Sequence, residues 1–366
     1  MTQTAIPFLL MRGGTSRGLY FNRADLPEDR ATLAGVLNAA MGAGQPVNAD
    51  GMGGGQVVTN KVAMLSTTSD GWADVDYFFA QVSPGTALEV DFRPTCGNIL
   101  SGVGAAALEM GIVPAQGDET RLRIRAVNTG ARVEAVVQTP GGRVAYEGAT
   151  AIDGIPGTAA PVALRFMDTV GTLCGAMLPT GNAREAIDGV AVTLIDVTMP
   201  MMIARAEELG LTGDESKAAI DGDAALLARI EALRIEAGQL MGLGDVSASV
   251  TPKVGLLAAP RGEAGAVAAR YLTPWACHPT MAVSGAQCIA ACALLPGSVA
   301  EGLAVVPEAG PANLRIEHPM GHMDVLMDFA RHGAALDVRS AGVLRTARLI
   351  ARGEVMIPAS VWAGGG

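Results

Sequence analysis

A single cysteine at the start of a small, apolar segment is the first candidate for chemistry in this chain. The segment TCGNILSGVGAAALEMG occupies positions 95–111, and its pattern predicts a buried helix that begins at Cys96. A helix N-terminus favours the thiolate form of a cysteine and presents free N–H groups to an anion. Gly97 would allow close approach to the backbone, and Asn98 would add a side-chain donor. Cys96 is therefore a candidate proton donor, with a cysteine that only packs in the core as the alternative.

The second candidate is a lysine that opens a predicted strand. Lys61 begins the apolar part of TNKVAML, at 59–65, directly after the glycine-rich segment DGMGGGQVV. A lysine among apolar side chains can act as a general base because burial favours the neutral amine. The alternative is a solvated lysine at a strand end. Lys253 opens a similar strand, TPKVGLL, but it lacks the glycine-rich approach and is expected to be structural or a supporting charge.

One structural plan occurs twice, about 180 residues apart. Each copy reads as strand, sharp turn, strand, amphipathic helix, lysine-opened strand, further strand, and a segment in which Cys precedes Gly-Ala by the same spacing. The amphipathic helices are predicted near 28–42 and 221–241. The duplication predicts two similar halves, 1–181 and 182–366, with the last strand able to return to the first half. Cys96 and Cys277 should each begin a buried helix, and the two helix starts should face one cleft.

The densest polar and glycine-rich segment is MRGGTSRG, near the chain start. It is predicted to form a sharp turn between two strands, where amides and hydroxyls suit carboxylates. A phosphate-binding P-loop would end in Gly-Lys-Ser/Thr before a helix, whereas a strand follows here. The candidate substrate-binding residues of this segment are Arg12, Gly14, Thr15, Ser16 and Arg17.

The second half supplies further candidates. Cys277 and His278 precede its apolar helix and could bind a carboxylate or orient a substrate, with capping and packing as the alternative. Arg270 is a candidate carboxylate clamp, with a surface strand arginine as the alternative. His318, in the predicted turn EHPMG, is a weaker candidate. Cys288 and Cys292 fall on one helix face and are expected in the core.

Composition excludes several classes of protein. The 366 residues carry a net charge of −10 and only 4% aromatic side chains, which disfavours nucleic acids and anionic membranes as partners. The five cysteines are odd in number and irregularly spaced, so no disulfide framework is expected. No CxxC or HExxH motif occurs, and no metal is predicted. With no predicted signal peptide or membrane span, the expected location is the cytoplasm.

Several motifs together carry a family resemblance over nearly the whole chain. MRGGTSRG, TNKVA, PTCGN, DGIPGTAAP, ACHPTMAVSGA and LLRTARLIARGEV resemble the methylaconitate isomerase-like family of the diaminopimelate epimerase-like superfamily. Within that family the chain is most similar to the 4-oxalomesaconate tautomerases of protocatechuate and gallate breakdown. The resemblance implies an α+β fold of two pseudo-symmetric halves, each a curled mixed sheet around one central helix.

The resemblance also implies a reaction. It is a proton shift, keto–enol or 1,3-allylic, on a tricarboxylate substrate, with no cofactor. It favours Lys61 as the base and Cys96 as its partner. A homodimer is compatible with the resemblance, and the oligomeric state stays open.

Departures from the epimerase pattern keep alternatives open. In the amino-acid epimerases, the corresponding motifs are similar to Cys-Gly-Asn-Gly in one half and Cys-Gly-Ser-Gly-Thr in the other. Here Ile99 ends the first motif, and Pro279, which has no N–H, interrupts the second. This weakens an amino-acid epimerase or racemase function. A 2-methylaconitate isomerase is a closer alternative, and a non-catalytic tricarboxylate-binding module is disfavoured by the presence of both Lys61 and Cys96.

Overall fold

The computed structural model describes residues 2–45 and 47–364, which form two compact units. The first unit comprises Met1–Leu164 with Leu344–Gly366, and the second comprises Arg165–Val343. The boundary therefore differs from the predicted division at 181/182. The reason is that the segment after Arg165 packs on the second unit's sheet: Gly171 N–H donates to the Asp196 carbonyl (2.8 Å), and Asp196 N–H donates to the Met177 carbonyl (2.8 Å).

The first unit is built on a mixed sheet. Its strands are β1 (Gln3–Gly13), β2 (Ser16–Asn22), β3 (Lys61–Ser66), β4 (Val75–Val82), β5 (Val90–Asp91), β6 (Glu119–Ala126), β7 (Arg132–Gln138) and, at the unit boundary, β8 (Pro161–Phe166). They lie in the order β1-β2-β3-β4-β6-β7-β8, with β5 paired to β4. The helices are α1 (Arg30–Met41) and α2 (Gly97–Glu109), and short 3-10 turns occur at Arg23–Asp25 and Pro140–Gly142.

The two helices cover opposite faces of this sheet. Side chains alternate along a strand, so Leu19, Phe21, Val62 and Met64 form one buried cluster with α1. The intervening residues face α2, as Tyr20 does when its hydroxyl reaches the Ile99 carbonyl at 2.6 Å. We call these two surfaces the α1 face and the α2 face.

The second unit has its own mixed sheet. Its elements are β9 (Glu185–Ile187), β10 (Val190–Asp196), β11 (Pro200–Arg205), α3 (Lys217–Gly222), α4 (Ala224–Leu240), β12 (Lys253–Ala258), β13 (Val267–Leu272), α5 (Val283–Leu294), β14 (Ala312–His318) and β15 (Gly321–His332), with a 3-10 turn at Ala206–Leu209. The last strand, β16 (Ala335–Pro358), begins in this unit beside β15 and ends in the first unit beside β1. Helix α5 packs in the core with the buried Cys288 and Cys292, as expected.

The two sheets confirm the predicted duplication. In the first unit β1–β2 are antiparallel, β2–β3 parallel, β3–β4 antiparallel, β4–β6 parallel and β6–β7 antiparallel. In the second unit β10–β11, β11–β12, β12–β13, β13–β14 and β14–β15 repeat the same alternation. The amphipathic helices α1 and α4 occupy equivalent connections, and so do α2 and α5. The fold is the expected α+β arrangement of two similar halves, each with a sheet around one central helix.

Gly18 allows β2 and β3 to approach at the start of the lysine strand. A Cβ at Gly18 would lie 2.2 Å from the Lys61 carbonyl oxygen, which belongs to the backbone and cannot turn aside. Gly18→Ala is therefore expected to lower the free energy of unfolding by about 1–3 kcal/mol, the usual cost of overpacking. Gly71→Ala is the control, because a Cβ at Gly71 meets nothing within 4 Å. Urea unfolding measures both, and equal effects would contradict this account of Gly18.

Candidate active site

Lys61 is a buried lysine held by a neutral side chain. It is the first residue of β3 and is 8% exposed. Its Nζ donates to Gln81 Oε1 at 2.7 Å and lies 5.3 Å from the centroid of the Phe79 ring. In the described part of the chain no carboxylate forms an ion pair with Lys61. One of its three donor positions is thus engaged by an amide, and the others stay available to a ligand.

Gln81 is itself fixed by the backbone. It lies opposite Lys61 in the β3–β4 ladder. Its Nε2 donates to the carbonyls of Val57 (3.2 Å), Asn60 (2.9 Å) and Val82 (3.2 Å). These bonds leave Oε1 as the group that faces the amine. The Gln81 side chain therefore determines where the Lys61 amine lies.

Cys96 stands at the start of the central helix, as predicted. It is the N-cap residue of α2, with extended backbone (φ −135°, ψ 108°), and its thiol makes no capping hydrogen bond. The side chain is half-buried. Because no side chain caps this end, the first-turn amides at Gly97 and Asn98 remain available to an anion.

Two buried tyrosines hold this helix end. Tyr77 Oη donates to the Cys96 carbonyl at 3.3 Å, and Tyr20 Oη donates to the Ile99 carbonyl at 2.6 Å. Burial, followed by the proximity of Cys96, raises the pKa of both phenols well above the usual value. Both hydroxyls therefore remain protonated donors at neutral pH.

Lys61 and Cys96 belong to the same face of the first-unit sheet. Tyr77, Phe79 and Gln81 alternate along β4 and share the α2 face. The rings of Tyr77 and Phe79 are 6.3 Å apart, and Phe79 in turn lies under the Lys61 amine. A continuous row of side chains thus runs from the amine to the residue that carries the thiol.

The β1–β2 turn packs on the start of α2. Asn98 Nδ2 donates to Thr15 Oγ1 at 3.0 Å. A Cβ at Gly14 would lie 2.2 Å from Asn98 Oδ1, and the φ of Gly14 is +52°, so glycine is required there twice over. Ser16 is buried at the start of β2. The structure therefore places Gly14 and Thr15 against Asn98, with Ser16 next to them in the chain.

The two arginines of the same segment lie elsewhere, which corrects the expectation that the whole segment lines one site. Arg12 and Arg17 are paired across β1 and β2. Each is next in sequence to a glycine, Gly13 or Gly18, whose position belongs to the other face of the sheet. The alternation of side chains therefore directs both guanidinium groups to the α1 face. Arg12 Nη1 donates to the carbonyls of Gly14 (2.8 Å) and Thr346 (3.1 Å).

In the second unit, the prediction that Cys277 begins a helix is wrong. Helix α5 starts at Val283 with Ala282 as its N-cap. Cys277 forms an isolated bridge with Leu272, and its N–H donates to Asp221 Oδ1 at 2.7 Å. Burial raises the pKa of the Cys277 thiol, so it remains a neutral thiol.

The other candidates in the second unit are Arg270, His278 and His318. Arg270 is 2% exposed, its Nε donates to the Glu215 carbonyl at 2.7 Å, and burial lowers its pKa. His278 Nδ1 accepts from Thr280 N–H at 3.0 Å, and burial lowers its pKa. His318 ends β14, where its Nδ1 accepts from Met320 N–H at 3.3 Å.

The side chains that fix Lys61, the start of α2 and Phe79 in position were not identified from the sequence. They are Tyr20, Tyr77, Gln81 and Asn128, whose Oδ1 and Nδ2 bond both backbone groups of Phe79 at 2.9 Å. The register of β3 against β4 would have paired Gln81 with Lys61. No sequence motif marks the others.

Three of the other thiols have a pKa raised by burial. Burial raises the pKa of Cys174 to about 11 and that of Cys292 to about 12, and it raises that of Cys288 well above the usual value. The thiolate is the nucleophile toward alkylating reagents, so a raised pKa slows alkylation.

Iodoacetamide at about pH 8 is therefore expected to modify Cys96 before the half-buried Cys174 and before any of the three buried thiols. Peptide mass spectrometry over a time course measures the order. Modification of Cys174 ahead of Cys96 would contradict this assignment.

Among the described residues, no group of three His, Cys, Asp or Glu side chains could hold a metal ion. No described helix is both long and apolar enough to cross a membrane.

A family model described as "PrpF protein" matches residues 3–358. The chain belongs to the PrpF family. The (4E)-oxalomesaconate Delta-isomerase of Novosphingobium sp. (strain KA1) is 47% identical to it over 351 residues, which cover 96% of this chain and 97% of that one. The 4-oxalomesaconate tautomerase of Pseudomonas putida is 45% identical over 364 residues, which cover 100% and 99%.

The fold has a solved counterpart. The crystal structure of a methylitaconate-delta-isomerase superposes with a TM-score of 0.91 at 30% identity, covering 100% of this chain and 99% of that one. The family resemblance predicted from the motifs is confirmed, and this member of the PrpF family is an isomerase.

Proposed function

We propose that this isomerase acts on 4-oxalomesaconate and moves one proton on that tricarboxylate without a cofactor. Two relatives named for this substrate are 47% and 45% identical to it over nearly its whole length, which supports the choice of substrate. We place the reaction in the breakdown of aromatic compounds such as protocatechuate and gallate. All five cysteines are free, which suits a reducing compartment, and the proposed location is the cytoplasm.

The observation that supports the mechanism is that Lys61 and the helix start at Cys96 lie on the same face of the first-unit sheet, the α2 face. The substrate carries a C–H bond made acidic by adjacent carboxyl and keto groups. In the proposed mechanism the Lys61 amine removes this proton, and the electron pair moves into the conjugated system as an enolate. The ammonium group so formed, together with the helix amides, stabilises the developing negative charge.

The proton then returns at the other end of the conjugated system. Lys61 can deliver the proton it took, or the Cys96 thiol can supply one; in the second case the ammonium returns its proton to the thiolate, through solvent, before the next turnover. The thiol is free for this because it makes no capping bond. Gln81 holds the amine in place throughout and, being neutral, does not compete for the proton.

The carboxylates of the substrate need donors. We assign one carboxylate to the uncapped start of α2, at the amides of Gly97 and Asn98. Asn98 already donates to Thr15 at 3.0 Å, which fixes its amide next to those N–H groups. A charge-assisted hydrogen bond of this kind contributes about 1.5–3 kcal/mol.

Turnover of a substrate panel tests the proposed function. The purified chain is incubated with 4-oxalomesaconate, 2-methylaconitate, 3-methylitaconate and a small amino acid, and the reactions are followed by ultraviolet absorbance or proton NMR. The expected result is turnover of 4-oxalomesaconate with the highest kcat/KM. A higher kcat/KM with 2-methylaconitate or 3-methylitaconate would replace the proposed substrate. Binding of the tricarboxylate with no turnover would leave a binding module instead.

A further inference from the structure

A cavity of about 270 Å³ opens on the α1 face of the first unit, where Arg12 lies. Its charged lining consists of Arg12 and Arg348, and Thr150, Thr158 and Thr346 add three hydroxyl groups. No Asp or Glu is among its lining residues. A volume of this size would hold roughly nine water molecules, or one small organic anion.

Arg12 and Arg348 form a pair of like charges. They stand directly opposite each other in the antiparallel β1–β16 ladder. Like charges directly opposite each other on neighbouring strands destabilise a sheet. Within the described residues no carboxylate pairs with either of them, although the chain carries 36 Asp and Glu against 26 Lys and Arg.

The hydrogen bonds of Arg12 fix one end of its guanidinium group beside the cavity. Nη1 is engaged by the Gly14 carbonyl, the Thr346 carbonyl and Thr346 Oγ1, at 2.8, 3.1 and 3.0 Å. The rest of the guanidinium is left for other acceptors. Because Thr346 Oγ1 accepts from Arg12, its own hydrogen is free to be donated. Burial, and then the proximity of Arg348, lower the pKa of Arg12.

We propose that the cavity lined by Arg12, Arg348 and the three threonines is a binding site for a small dianionic oxyanion. Two guanidinium groups and several hydroxyls match the charge and the acceptor geometry of such a ligand. The shared chemistry is that of inorganic phosphate and of short polycarboxylates.

This site is separate from the one that holds Lys61 and Cys96. Arg12 and Arg348 lie on the α1 face, and Lys61 and Cys96 lie on the α2 face of the same sheet. The proposal therefore does not depend on the identity of the isomerase's substrate. A bound anion would contact Arg12, and Arg12 donates a hydrogen bond to the Gly14 carbonyl in the turn that carries Thr15.

Isothermal titration calorimetry at constant ionic strength tests the proposal, with inorganic phosphate and propane-1,2,3-tricarboxylate as separate probes. Arg348→Gln is the main variant, because Arg348 has no described hydrogen bond whose loss would disturb the fold. Arg229→Gln is the matched control, an exposed arginine on α4. Gly97→Pro reports whether a probe binds at the other face instead, because it removes an N–H assigned to the substrate carboxylate at a first helical position, where proline is tolerated and a Cβ meets nothing within 4 Å.

The expected result is that at least one probe binds the wild-type chain and that Arg348→Gln weakens it about tenfold or more, the scale of a lost charge-assisted bond. Arg229→Gln and Gly97→Pro should bind that probe as the wild type does. Binding of phosphate alone would identify a phosphate site, and binding of the tricarboxylate alone an organic acid site. The proposal is overturned if neither probe binds more tightly than about 10 mM, if Arg348→Gln binds normally, or if either other variant is weakened equally.

Discussion

Replacing Lys61 with methionine is expected to lower kcat by about a hundredfold or more, the usual scale for loss of a general base. Methionine retains most of the side-chain volume beside Phe79 but cannot accept a proton. Steady-state kinetics with 4-oxalomesaconate measure the effect. KM should change little, because the carboxylates are assigned to the helix start rather than to the amine.

Lys253→Met provides the matched control for that experiment. Lys253 opens β12 as Lys61 opens β3, so the two residues are alike in sequence context. The second unit has no glutamine at the position that corresponds to Gln81. The β12–β13 register pairs Val254 with Leu272, and the next residue along β13, on the side of Lys253, is Thr273. We expect Lys253→Met to retain kcat within about twofold. Equal losses in the two variants, with unchanged circular dichroism, would show that Lys61 has no special role.

Cys96 is expected to show a graded response. Cys96→Ser should lose about tenfold in kcat, because a hydroxyl can still donate a hydrogen bond or a proton, though less well. Cys96→Ala should lose more, because no donor remains at the N-cap. The thiol makes no capping bond, so neither change should lower the thermal midpoint of unfolding by more than a few degrees.

The opposite ranking would exchange the roles. If Cys96→Ser is inactive while Lys61→Met loses less than about tenfold, Cys96 is the base and Lys61 stabilises the enolate charge. Two variants with equal, small losses would contradict both assignments.

The sequence predicts the architecture well because the fold repeats a local pattern. Strand–turn–strand–helix order, a lysine-opened strand and an apolar helix are each encoded by neighbouring residues, and their double occurrence fixes the plan. The helix start at Cys96 is predicted for the same reason: Gly97 and Asn98 begin an uninterrupted apolar run.

The corresponding prediction for Cys277 fails because the pattern there is interrupted. Pro279 offers no N–H, and His278 accepts the N–H of Thr280, so the chain turns before it can enter a helix. Asp221, distant in sequence, binds the Cys277 N–H instead. A shared Cys-to-Gly-Ala spacing therefore does not require a shared helix start.

Side-chain direction was the other feature that the sequence did not determine. MRGGTSRG reads as one polar segment, but strand alternation sends Arg12 and Arg17 to one face and leaves Ser16 and the turn at the other. Likewise, Gln81 becomes the partner of Lys61 only through the β3–β4 register. Both features depend on tertiary pairing rather than on local composition.

The most direct test of the central claim, that Lys61 and the Cys96 helix start together handle the substrate, is a crystal structure with a bound unreactive tricarboxylate. The account predicts a ligand carbon within about 3.5 Å of Lys61 Nζ, the distance of a near-attack geometry, and a carboxylate at the amides of Gly97 and Asn98. A tricarboxylate seated with no atom near Lys61, or found only at Arg12 and Arg348, would contradict it.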